Sequence, residues 1–190
     1  MFCIACQPRS QLVAKDIHIR LATGADAPTI AVFGRQTFHD AFAADNHPDD
    51  LKAYLDVAFE LQRIMNELND ELGFFMLAEH ANAPLGYLHI RNAERPDCVG
   101  DCESHELVRF YVDRMQIGGG LAHTLMEAGK REAVKRGATS LWLGVWERNA
   151  RAIAFYKKNG FQQVGTKAFV LGSDLQTDHV MFATLHNDAN

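Results

Sequence analysis

A chain of 190 residues, 47% hydrophobic and 23% charged, has the balance of one globular domain with enough length for a substantial core, and two domains would be cramped. Its formal net charge of −5 does not favour nucleic acid or an anionic membrane surface, and it mildly favours cations. No apolar run approaches bilayer-spanning length, and the opening MFCIACQPRS has neither a basic leader nor a long apolar centre, so the expected compartment is the cytoplasm.

Residues 1–15 read as a flexible extension and 16–190 as the domain. DIHIRLAT, from Asp16 to Thr23, is a first strand. DAPTIAVFGRQTFHDAF then places Ile30, Phe33, Thr37, Phe38 and Phe42 at helical spacing. HPDDLKAYLDVAF and ELQRIMNELND continue as helices in an acidic segment with Pro48 near a helix start. GFFMLAEH and APLGYLHIRN form two strands around a turn at Asn82 to Pro84, and a polar loop from Ala93 to Ser104 leads to the strand HELVRFYV. After three glycines comes a helix with Ala122, Leu125, Met126, Gly129 and Ala133 on one stripe, closed by Gly137. SLWLGV is a buried strand, and NARAIAFYKKNGF a helix with Asn149 as N-cap and Asn159-Gly160 as stop. QQVGT and DHVMFATL finish as strands. The order β-α-α-β-β-β-α-β-α-β-β, without repeats or linkers, is that of one mixed α/β domain.

The cysteines fall as Cys3-x2-Cys6 and Cys98-x3-Cys102, spacings that can serve a tetrahedral zinc site. One pair lies ahead of the folded pattern and the other in a loop rich in Asp, Glu, Pro and Gly, so free thiols in a reducing compartment are the better reading. The nine histidines include no His-Glu-x-x-His, and no metal is expected.

The most informative stretch is YVDRMQIGGGLAHTLMEAGKREAVKRG, residues 111–137. Gly118, Gly119 and Gly120 let the chain turn sharply, and the following helix points unpaired N–H groups back at the turn, which makes an anion site. A Rossmann fingerprint needs glycine where His123 stands. A P-loop needs Lys-Ser/Thr after Gly120, where Leu121-Ala122 stand.

Ile117-Gly118-Gly119-Gly120-Leu121-Ala122 resembles the pyrophosphate motif Gln/Arg-x-x-Gly-x-Gly/Ala of the GNAT superfamily of acetyl-CoA-dependent N-acetyltransferases, with Ile117 departing at the polar first position. ERNARAIAFYKKNGF is similar to the family's next motif. Asn149 and Tyr156 are seven residues apart, almost two helical turns, and so share a face. The resemblance implies that Asn149 contacts the pantetheine arm and that Tyr156 protonates the departing thiolate; a reference pKa of about 10 suits tyrosine to this. It also implies that main-chain groups of Phe110, Tyr111 and Val112 bind pantetheine and the thioester carbonyl, and that Glu106 is a candidate base, directly or through water. A simple ion pair of Glu106 with Arg109 or Arg114 is the competing reading. Strict alternation puts Glu106, Val108, Phe110 and Val112 on one face of this strand and Leu107, Arg109 and Tyr111 on the other, unless a bulge intervenes.

The implied fold is a single α/β domain with a mixed, mostly antiparallel twisted sheet splayed between its central strands and helices on both faces. The implied co-substrate is acetyl-CoA. The superfamily resemblance spans roughly residues 17–185, and at its two ends TFHDAFAADNHPDDLKAYLDVAF and FVLGSDLQTDHVMFATL resemble the opening helices and closing hairpin of bacterial PaiA-type spermidine/spermine acetyltransferases. This implies a polyamine acceptor in keeping with net charge −5 and the acidic segment of Asp40, Asp45, Asp49 and Asp50. The amine attacks the thioester directly in a ternary complex, and Cys98 and Cys102 lie in the wrong loop to carry an acyl group. The rivals are acetylation of a protein N-terminus, a lysine or an antibiotic amine, and a non-catalytic coenzyme-A-binding regulator. The expected partner is a small-molecule amine, with no nucleic acid and no membrane, and a homodimer remains open.

Overall fold

The computed structural model describes residues 17–100 and 102–186. The extension at 1–15, with Cys3 and Cys6, lies outside the described residues. Strand β1 (His18–Leu21) is followed by helix α1 (Ala27–Phe42), entered at Pro28 and tied to β1 by paired Arg20–Asp26 hydrogen bonds of 2.8 Å. The acidic segment forms two helices, α2 (Pro48–Ala58) and α3 (Leu61–Leu68), matching the two helical stretches read from the sequence, so three helices precede β2 and the order has one more than β-α-α-β. The break is physical: Phe59 leaves the helical region at ψ 23°, and Glu60 is extended at ψ 134°.

Strands β2 (Gly73–His80) and β3 (Ala83–Asn92) make a hairpin whose turn is Ala81–Asn82, both at positive φ, one step earlier than Asn82–Pro84. Then come β4 (Ser104–Val112), α4 (Leu121–Lys135), β5 (Ser140–Trp146), α5 (Ala150–Lys158), β6 (Gln162–Leu171) and β7 (Asp174–Thr184). The last two strands are longer than their apolar cores because they continue to a tight turn at Gly172, φ +61°.

The seven strands are ordered β1-β2-β3-β4-β5-β7-β6, antiparallel except for β4 and β5. Helices α4 and α5 cover one face, where Leu88, Ile90, Leu125, Met126, Leu141 and Leu143 form the main core. Each such side chain contributes about 1.5–3 kcal/mol when fully buried. Helix α4 comes so close to β3 that a Cβ at Gly129 would lie 2.5 Å from Leu88, which glycine alone permits. The other face carries α1 to α3 over Ile30, Ile64, Phe75, Leu77 and Tyr87, with Phe38, Leu51, Leu55, Phe59 and Leu171 toward β6. Buried Arg109 of β4 ties these helices down through Glu67 and the Ala58 carbonyl (3.0 Å). Beside it, His89 stacks on Phe75 at 4.0 Å, and burial pushes its pKa down to about 3, which leaves it neutral. Among the described residues no helix is long and apolar enough to cross a membrane.

Candidate active site

The central parallel pair is the weak seam of the sheet. Strand β4 meets β5 only at Ser104–Ser140, His105–Leu141 and Glu106–Trp142, and beyond these residues the strands diverge. A cleft of about 1030 Å³ opens in the gap and runs through to the face covered by α1 and α2.

The wall of this gap is set by hydrogen-bond parity. Asp113 N–H donates to the Leu85 carbonyl at 2.8 Å, so the bonded pairs with β3 are Asp113–Leu85 and, two residues back, Tyr111–Tyr87. The N–H and C=O groups of Phe110 and Val112 therefore point away from β3, into the gap. Of Phe110, Tyr111 and Val112, Tyr111 has its main chain committed to β3.

A bulge corrects the alternation expected for β4. Leu107 is opposite Ile90 and Arg109 is opposite His89, so Val108 is the extra residue. Leu107, Phe110 and Val112 pack toward α4 and α5, while Arg109 and Tyr111 pack toward α1 to α3. The bulge also separates Glu106 from the face of Phe110. Its Oε2 accepts from Arg91 (3.0 and 3.2 Å), and its Oε1 lies 3.9 Å from Lys167 Nζ. The ion-pair partners are thus Arg91 and Lys167, where the sequence suggested Arg109 or Arg114.

At the glycine turn, Gly118 and Gly120 have φ +84° and +85°, conformations strained for any residue with a Cβ, and nothing stands within 4 Å of where a Cβ would be. Gly120 is the N-cap of α4, so the N–H groups of Leu121 and Ala122 have no intrahelical acceptor. The N–H of Ile117 is partly spent on the Arg114 carbonyl (3.3 Å), and that of Gly119 on Gln116 (3.1 Å). Ile117, Gly118 and Ala122 line the cleft, whereas the Leu121 side chain is buried in the core.

From α5, Asn149 and Tyr156 both line the cleft. Asn149 caps the helix through Oδ1, which accepts from Ala152 N–H at 3.1 Å, leaving its amide N–H groups to offer. Tyr156 packs edge-on to Phe110 and Phe161, and burial raises its pKa well above that of an ordinary phenol, so it stays protonated. Among the described residues no group hydrogen-bonds its hydroxyl, which lies at the cleft, whereas the equally unpartnered Tyr87 hydroxyl on the opposite face is sealed in the core.

The Acetyltransferase (GNAT) family model matches residues 36–161, most of the span from α1 to α5. The chain belongs to the GNAT family. It is 30% identical over 156 residues to an uncharacterized N-acetyltransferase of Lactobacillus delbrueckii subsp. lactis, covering 82% of this chain and 90% of that one. An uncharacterized N-acetyltransferase of Mycobacterium tuberculosis is 31% identical, over 84% of this chain and 98% of its own. Among solved structures, the PaiA N-acetyltransferase of Thermoplasma acidophilum in complex with coenzyme A superposes with TM-score 0.74 at 20% identity, covering 88% and 98% of the two chains. The ribosomal-protein-alanine N-acetyltransferase of Brucella melitensis gives 0.65 at 26%, covering 88% and 99%.

This GNAT protein is an acetyl-CoA-dependent N-acetyltransferase, and acetyl-CoA supplies the acetyl group already activated as a thioester. The residues fit that co-substrate. An open, side-chain-free turn at a helix N-terminus suits a pyrophosphate, and a strand edge with outward N–H and C=O groups suits an amide-bearing arm. Arg114 and Arg151 also line the cleft near the turn and Asn149, where they add positive charge that sequence reading missed. The signal for Arg114 was its position between β4 and the glycines.

The acidic segment contributes less than its composition suggested. Asp40 lines the cleft, but Asp50 accepts from the Ser173 N–H at 2.5 Å to hold the β6–β7 turn, and Asp45 and Asp49 face solvent away from it. The cleft carboxylates are Asp40, Glu106, Asp113 and Asp178.

Proposed function

We propose that this GNAT protein transfers the acetyl group of acetyl-CoA to a primary amine of the linear polyamine class, such as spermidine or spermine, by direct attack in a ternary complex. The observation that carries the acceptor class is the placement of charge. Asp40, Glu106 and Asp178 line the part of the cleft under α1 and α2, and the cations there are already engaged: Arg63 and Arg109 with Glu67, Lys167 near Glu106. An amine entering from that side meets carboxylates and the aromatic rings of Phe38, Tyr54 and Phe169.

In this reading, Gly118 to Ala122 and the N-terminus of α4 hold the pyrophosphate, with Ile117 contributing no polar side chain. Asn149 and the outward groups of Phe110 and Val112 hold the pantetheine arm. A β4 N–H in the Phe110–Val112 segment meets the developing oxyanion. Glu106, directly or through a water, takes the proton that the ammonium must lose before nitrogen can attack. Tyr156 gives its proton to sulfur as the C–S bond breaks.

A second acceptor, the α-amine of a protein N-terminus, is favoured by the 26% identity to a ribosomal-protein-alanine N-acetyltransferase. The test is a panel of spermidine, spermine, lysine peptides, N-terminal peptides and aminoglycosides at equal concentration, compared by kcat/KM through release of free thiol. Spermidine is expected to lead. A lead for peptides would move the acceptor to the second class, and no thiol release from any amine would overturn turnover itself.

A further inference from the structure

Three of the four cleft carboxylates have their hydrogen-bonding capacity visibly used. Glu106 is held by Arg91 and faces Lys167. Asp40 Oδ1 accepts from Gln36 at 2.8 Å, and Asp113 Oδ1 accepts from the Met115 N–H at 2.8 Å. Asp178 differs. Only 7% of it is exposed, it lines the cleft, and among the described residues its carboxylate has neither a hydrogen bond nor an ion pair. The residue is more than nine-tenths buried while its oxygens open to the cleft, so a carboxylate without a protein donor stands where a ligand's N–H groups can reach it.

Its surroundings say which side of the sheet that ligand comes from. Asp178 lies on β7 opposite Trp146 of β5 and Lys167 of β6, and it shares strand parity with Val180, which packs on Trp142. Its side chain and that of Lys167 lie over Gly144: a Cβ there would be 2.8 Å from Asp178 Oδ2 and 2.5 Å from Lys167 Cε. Gly144 is in the part of β5 that has already parted from β4. The free carboxylate thus stands beside the opening of the seam, on the face under α1 and α2 and opposite Tyr156.

We infer that Asp178 is the residue that binds the ammonium group of the acceptor and so selects a cationic amine, a role distinct from that of Glu106. This rests on the reading of the cleft as an amine acetyltransferase site. An ammonium brings three N–H donors to a carboxylate that has none, and the neighbouring Lys167 is kept from closing on it by Glu106 and by the Trp142 ring, 5.2 Å away. The groups acting on Asp178 are Lys167 of β6, His179 of its own strand and Tyr54 of α2, and Glu106 of β4 lies on Lys167.

Burial raises the pKa of Asp178, with Lys167 and His179 opposing. An acid whose pKa is raised on folding gives stability that is full below its unfolded pKa and lost as pH rises through the folded one. The ionised form of the side chain therefore costs stability in the absence of a ligand, and Asp178→Asn should melt at or above the wild-type temperature.

The experiment compares wild type, Asp178→Asn and Asp178→Glu with a diamine that is charged at assay pH and a fluorinated ethylamine that is not. In Asp178→Asn the diamine KM should rise about tenfold or more, with kcat and the acetyl-CoA KM within about twofold, and Asp178→Glu should recover part of the loss. The uncharged amine should react equally with wild type and variant. An unchanged diamine KM, or an equal loss for both amines, overturns the assignment. Calorimetric titration of the diamine into the coenzyme-A complex gives a second readout independent of turnover. If wild type binds the diamine, loses that binding in Asp178→Asn, and yet releases no thiol, the turnover reading fails while the ammonium site stands. Equal binding by both proteins, or none by wild type, overturns the site.

Discussion

The two halves of the cleft are built by different means. In the proposed reading the coenzyme half comes from a continuous stretch, β4 through α5, and relies mainly on main-chain geometry: outward peptide groups at Phe110 and Val112, left-handed glycines at 118 and 120, and the first turn of α4. The proposed acceptor half is assembled from side chains far apart in sequence: Asp40 and Phe38 on α1, Tyr54 on α2, Lys167 on β6 and Asp178 on β7. A backbone cradle tolerates changes in residue type that keep its dihedrals, as Ile117 does at a position that is polar in the family motif. A side-chain site changes ligand with one substitution.

This contrast can be broken most decisively at Tyr156, where the halves meet. Tyr156→Phe keeps the ring packing and removes only the hydroxyl, so kcat should fall about 10²-fold while acetyl-CoA affinity is retained. Near-normal kcat would show a packing role alone. Because burial raises the Tyr156 pKa, the phenol remains a proton donor as pH rises, and a pH–kcat profile should show no alkaline loss from it below about pH 10.

A smaller effect is expected from the cradle. Gly120→Val forces a β-branched residue into φ +85°, costing roughly 1–2 kcal/mol, so acetyl-CoA binding measured by calorimetry should weaken about tenfold. The amine KM should not move. If it moves as much as coenzyme affinity, the halves are not separable.

The mirror experiment is Gly144→Ala. Its Cβ would displace Lys167 and Asp178, so the amine KM should rise by roughly fivefold with coenzyme affinity unchanged. A drop in coenzyme affinity instead would place β5 on the other side of the divide.

The smallest effect separates rim from floor. Asp40 is partly exposed, and its field is screened over about 8 Å at physiological ionic strength, whereas Asp178 is buried. Raising salt should lower amine kcat/KM about twofold in wild type, and Asp40→Asn should abolish most of that dependence. A salt response undiminished in Asp40→Asn would assign the steering elsewhere.

Sequence patterns marked the proposed coenzyme half more clearly than the proposed acceptor half. The strand, the three glycines and the helix from Leu121 lie within one contiguous segment, and the Asn149 cap and Gly160 stop of α5 are marked by residues that only such positions favour. The acceptor half left weaker marks. Asp178 sits in register with Val180 on the buried face of its strand, and that single charge in an apolar position was the available clue. The aspartates that composition made conspicuous were mostly elsewhere: Asp50 holds a turn, and only Asp40 of the four reached the cleft.

By itself the sequence determined the kind of domain, nearly all of its elements and the left-handed glycine turn ahead of α4. These follow from periodicity, caps and φ preferences that act over a few residues. Tertiary structure alone decided where β4 and β5 part, which face Glu106 takes relative to the bulge at Val108, and that Asp178 stands over Gly144 with no hydrogen bond or ion pair among the described residues. Each of these depends on strand register and on side chains brought together across long separations, where local preference carries no information and only the packing of the whole sheet chooses.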